Sequence, residues 1–139
     1  MRLLFQNLLL VSLFSIIING SVHSQNNSLQ CRIADTKIFM EKISADGVKK
    51  VDFFIIGFKS KADIKRFITT ASSVERIMKV KVGNTNKIGE NEVKVSISET
   101  GWINDFRLML MACSVASIIT SDKTYDVIHF QVKSANPFQ

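Results

Sequence analysis

Apolar and polar residues alternate over two stretches of this chain, and apolar residues recur at helical spacing over two more. In "MKVKV", residues 78–82, Met78, Val80 and Val82 fall on one side and Lys79 and Lys81 on the other. In "EVKVSIS", residues 92–98, Val93, Val95 and Ile97 point inward, and Lys94, Ser96 and Ser98 point outward. A two-residue period is that of a strand with one covered face. "KKVDFFIIGF", residues 49–58, is apolar on both faces at its centre and predicts a central, covered strand. Ala62, Ile64, Phe67, Ile68, Ala71, Val74 and Ile77 predict a helix over 61–77, with Lys61, Lys65, Arg66 and Glu75 on or near its wet side. Trp102, Phe106, Met109, Cys113, Ala116 and Ile119 form the stripe of a second helix over 102–119. Leu108, Leu110, Met111 and Val115 widen that stripe, so this helix requires cover on more than one side. Residues 124–133 read as a closing strand, with Ile128, Phe130 and Val132 on one side and His129, Gln131 and Lys133 on the other.

The punctuation between these segments agrees. Ser60 is a good N-cap, and Asp63 stands three residues later, as in a capping box. "GNTNKIGEN", residues 83–91, is rich in turn formers. Residues 36–44, "TKIFMEKIS", read as a further strand, with "ADG" at 45–47 as its hairpin turn. From residue 49 the order is strand, helix, strand, strand, helix, strand. That order predicts an α+β fold of the ferredoxin-like, split βαβ kind, an antiparallel sheet with two helices on one face. In that arrangement the first strand is already flanked by the third and fourth. An extra N-terminal strand from 36–44 therefore either packs elsewhere or changes the sheet order. The expected organisation is a loose segment over 25–35, one domain over 36–133 and a tail over 134–139.

The first 24 residues have the layout of a secretory signal peptide. Arg2 is followed by an apolar stretch through Ile18 and then by small and polar residues, with Val22 and Ser24 suited to cleavage before Gln25. Gln6, Asn7, Ser12 and Ser15 interrupt the apolar run and argue against an uncleaved anchor. The expected location is therefore periplasmic or extracellular. Export makes the two cysteines, Cys31 and Cys113, an even pair that permits a disulfide. The other reading is one buried thiol and one near a loose N-terminus. The chain is basic, with 18 Lys and Arg against 12 Asp and Glu, so an anionic partner enters the picture.

The junction "GFKSKAD", residues 57–63, bears on chemistry. Residues 51–98 resemble the heavy-metal-associated domain family, whose fold is also ferredoxin-like and whose loop reads Gly-Met-x-Cys-x-x-Cys. Gly57 and the large apolar Phe58 match that loop, while Ser60 and Asp63 stand where the thiols would be. The resemblance implies a metal carrier or sensor. Soft metals are selected by thiolate and thioether ligands, which Ser60 and Asp63 do not supply. The cap explains both residues, so no metal and no cofactor is expected.

Elsewhere the chemistry is thin. Met109, Met111 and Cys113 offer sulfur, but on a helix Met111 points away from the other two. His129 has no serine or carboxylate at a readable spacing, and Gly83, Gly89 and Gly101 form no phosphate-binding pattern. No enzyme signature is present, and the chain is read as non-catalytic. What remains is a surface. Lys79, Lys81, Lys94, His129 and Lys133 share the parity that faces away from the helices, with Phe54 or Ile56 among them. The expected function is an exported binding or interaction module of the cell envelope. Its partner would be an acidic protein, an anionic envelope polymer or a second copy of itself. Nucleic acid is not expected, because the aromatic platform of an RNA-binding sheet is missing.

Overall fold

Val51, Phe53 and Ile55 turn to one side of a nine-residue strand and are no more than 1% exposed, while Asp52 between them is exposed. That alternation sets the plan of the molecule. The structure is a computed structural model that describes residues 28–40, 45–98 and 101–130. The expected signal peptide, and the tail, lie outside these residues. In chain order the elements are β1 (Leu29–Arg32), α1 (Thr36–Met40), β2 (Val48–Ile56), α2 (Lys61–Ser72), β3 (Ile77–Thr85), β4 (Glu90–Ser98), α3 (Trp102–Ala112), β5 (Val115–Ile119) and β6 (Thr124–Asp126). A 3₁₀ turn, Val127–His129, follows β6.

The fold is α+β, with one six-stranded sheet in the order β3-β4-β2-β1-β5-β6. Val93, Val95 and Ile97 of β4 join the inward residues of β2 in a single core with Phe67 and Ala71 of α2 and with Phe106, Met109 and Leu110 of α3. Phe106 meets Phe53 edge-on at 5.2 Å and Phe39 of α1 at 5.1 Å, so α1 and α3 cover the same face of β2. Among the described residues, no helix is long and apolar enough to cross a membrane.

The strand–helix junction forms as its residues dictate. Ser60 Oγ accepts from the Asp63 N–H at 3.2 Å, and the Asp63 carboxylate accepts from the Ser60 and Lys59 N–H groups at 3.0 and 3.1 Å. This reciprocal box satisfies donors that the first turn of α2 leaves without helical partners. Gly57 has φ +112°, a region that side chains disfavour, and a Cβ there would lie 3.4 Å from Leu29 Cδ2. Glycine thus both makes the turn and lets β1 pass close by.

Five expectations are corrected. Leu29–Arg32, expected within the loose segment, form β1, inserted between β2 and β5. β1 runs antiparallel to β2 but parallel to β5, so the sheet is mixed rather than antiparallel throughout. Its four residues carry too short a pattern to be read alone; neighbours on both sides satisfy their backbone groups. Secondly, residues 36–40 are helical, not extended. The Asp35 carboxylate caps Lys37 and Ile38 at 2.9 and 3.1 Å, and the helix buries Phe39 while leaving Ile38 66% exposed. Residues 41–44 lie outside the described residues.

The third correction concerns the second helix, which stops at Ala112. Cys113 is its C-cap, Ser114 takes φ 58°, and Val115–Ile119 become β5. An apolar run longer than the helix satisfies either period, and the vacancy beside β1 selects strand for its second half. Fourthly, the closing strand ends at Asp126. The Asp126 carboxylate accepts from the Ile128 N–H at 2.9 Å and turns the chain out of the sheet. Met78 is also displaced from the inward side expected for it. A register shift between Ile77 and Lys79 leaves it 63% exposed and puts Ile77 inside.

Candidate functional site

The outward residues of β3, β4 and β2 form rows across the sheet. Lys79, Ser96 and Lys50 stand opposite one another in one row, and Lys81, Lys94 and Asp52 in the next. The rows end in a shallow depression of about 300 Å³, lined by Lys50, Asp52, Lys79, Lys81 and Lys94 with Val95 and Ser96. Lys94 Nζ lies 3.9 Å from Asp52 and 3.4 Å from Glu92. Among the described residues, Lys50, Lys79 and Lys81 make no ion pair. Four ammonium groups therefore face one carboxylate within the depression.

The same face is neutralised toward β1. Arg32 donates two parallel bonds of 2.6 Å to the Glu90 carboxylate and lies over the Phe54 ring at 4.4 Å. Asn86 adds a donor to Glu90 at 3.2 Å. The bonds from Arg32, joined by that of Asn86, hold the Glu90 carboxyl below its ordinary range. Phe54, one of the two apolar residues expected on this face with Ile56, is thus covered by Arg32. The open face is a built, charge-matched end and a basic end.

A second concavity, of about 510 Å³, lies at the β2–α2 junction, lined by Gly57, Lys59, Asp63, Arg66 and Cys113 among others. The Asp63 carboxyl is lowered by the backbone bond from Lys59 and by its exchange with Ser60, and Arg66 lies 4.0 Å away. Its Oδ2 is occupied by the cap, and its Oδ1 is the oxygen that faces Arg66. Burial pushes the Cys113 thiol up to about 11, a weak nucleophile and ligand at neutral pH. Cys31 is fully buried, and burial carries its thiol far above the ordinary range. Both thiols are free in the structure: Cys31 faces the core from β1, while Cys113 Sγ points to the Phe67 carbonyl at 3.7 Å. Met109 is buried and Met111 is 44% exposed on another side of α3, so the helix separates the sulfur atoms. Among the described residues, no group of three or more His, Cys, Asp or Glu stands together to hold a metal ion.

No family model matches the chain, and comparisons with curated proteins and with solved structures find no match. The residues of the face must speak for themselves. Of the five sequence-chosen binding residues, the sheet brings Lys79, Lys81 and Lys94 together. His129 does not join them. It is exposed on the 3₁₀ turn beyond β6, five strand positions from β3 and so roughly 24 Å away. Lys133 lies outside the described residues. Lys50 and Asp52 were missed, because the apolar centre of β2 masked the polar parity of its first half. Arg32 and Glu90 were missed because their pairing spans elements that no local pattern connects.

Proposed function

We propose that this chain is a small exported, non-catalytic binding module of the cell envelope, which engages an anionic partner through the basic end of its open sheet face. Its body is read as a ferredoxin-like split βαβ unit with β1 added between the first and last strands. The observation that carries the proposal is the grouping of Lys50, Lys79, Lys81 and Lys94 in one depression, with Asp52 the single carboxylate there. Like charges on neighbouring strands repel slightly, and Lys81 stands directly opposite Lys94. An anionic partner converts that repulsion into attraction. Lysine heads on flexible stems suit a chain of spaced negative charges better than one rigid, bidentate group. An acidic protein segment and an anionic envelope polymer both have that chemistry.

The test is binding to poly-glutamate and to polyphosphate as a function of salt. Attraction between exposed charges is screened beyond about 10 Å at 0.1 M ionic strength, so binding should weaken steadily as salt rises. Replacing Lys79, Lys81 and Lys94 together by Gln should leave the fold intact and reduce binding at least tenfold. Equal binding by the triple variant would refute the proposal.

A further inference from the structure

We infer that β3 takes up an extended segment of a partner protein as a seventh strand, with acidic residues over the lysines and apolar residues on the helix side. The inference rests on the proposed basic face and names the partner class for it. β3 is the outer strand of the sheet, and among the described residues it pairs with β4 alone. Such a strand directs every second N–H and C=O away from the sheet, a template for another chain. The opposite edge is unlike it: β6 has three residues and turns directly into a 3₁₀ helix.

The side chains of β3 specify what fits. Regular pairing with β4 runs from Lys79 to Val82, between register shifts at either end. Within it, Lys79 and Lys81 face the open side, while Val80 and Val82 face the core. Val80 and Val82 are only half-buried, whereas Val93, Val95 and Ile97 on the neighbouring strand are at most 2% exposed. The apolar layer of the sheet therefore ends unfinished at β3. A strand laid beside it would cover both valines with its own inward residues. Its outward residues would stand opposite or diagonal to Lys79 and Lys81.

Alternating acidic and apolar residues meet both requirements. A second copy of β3 does not, since it would bring its own Lys79 and Lys81 against the first pair. Residues 1–34 and 131–139 contain no Asp or Glu, so neither of these segments supplies the acids either. The occupant is another protein with an extended acidic–apolar segment.

The experiment compares two peptides of the same composition, one alternating Glu and Val, the other with its glutamates gathered in one half. Each is titrated against the protein as expressed. The alternating peptide should bind at least tenfold tighter, protect the β3 amides from hydrogen exchange, and lose at least tenfold when alternate backbone nitrogens are methylated. The double variant Lys79→Glu, Lys81→Glu, checked for native circular dichroism, should instead prefer a peptide alternating Lys and Val. Equal binding of the two acidic peptides would overturn the inference while leaving the basic-face reading in place, because charge alone would then suffice. Failure of every anionic probe, poly-glutamate and polyphosphate included, would overturn both. Concentration-dependent dimers that protect β3 without any peptide would make the second copy the occupant and overturn the inference.

Discussion

Lys81 and Lys94 stand directly opposite each other on adjacent strands of one exposed face. Lys94 has the carboxylates of Asp52 and Glu92 within 4 Å, but among the described residues Lys81 has no such neighbour. Lys81→Glu should therefore replace a repulsive cross-strand pair with an attractive one and stabilise the fold by about 0.5 kcal/mol. The same change should weaken binding to poly-glutamate. Denaturant unfolding beside a binding titration checks both signs, and parallel losses in the two would mean that Lys81 serves the fold rather than a partner.

Ser60→Ala should cost about 1 kcal/mol, the usual loss when an N-cap hydroxyl is removed. Ser60 Oγ accepts from the Asp63 N–H, and no other function of Ser60 is needed to explain it. The loss should appear as a lower denaturation midpoint, with binding on the open face unchanged.

Glu90→Gln should cost about 2 kcal/mol, since it leaves the part-buried Arg32 guanidinium without its charge-assisted fork. The pH dependence has a definite sign. Glu90 is held below its ordinary value of 4.5 in the fold, so its contribution is complete above the unfolded value. It is lost as pH falls through the lowered, folded one. Between those two limits the wild type should lose stability faster on acidification than Glu90→Gln, and identical acid slopes in the two proteins would contradict the assignment.

Cys113 should react slowly with iodoacetamide at neutral pH. Its rate should rise about tenfold per pH unit until the thiol titrates near 11. Cys31 should react only after unfolding. Intact mass under non-reducing conditions should show both thiols, and reductant should leave the melting temperature unchanged. A mass lower by two hydrogens, or a fall in melting temperature on reduction, would establish a disulfide instead.

Local features of this fold were legible because local physics decides them. The alternation at Val93, Val95 and Ile97 names the buried side of β4, since a one-residue slip would turn all three to the open face. Ser60 and Asp63 mark the start of α2, because the first turn lacks acceptors for its N–H groups wherever that helix lies. Lys79, Lys81 and Lys94 could be put on one face by parity alone. The tertiary structure decided the rest. Leu29–Arg32 is a strand because β2 and β5 bond it from both sides, and four residues carry no period of their own. The run from Leu108 to Ile119 is apolar enough for either helix or strand, and the place beside β1 breaks it at Ser114. Lys50 joins the basic rows, and Arg32 meets Glu90, only after strands distant in sequence come into register. Those choices rest on nonlocal pairing, whose free energy no short window of sequence contains.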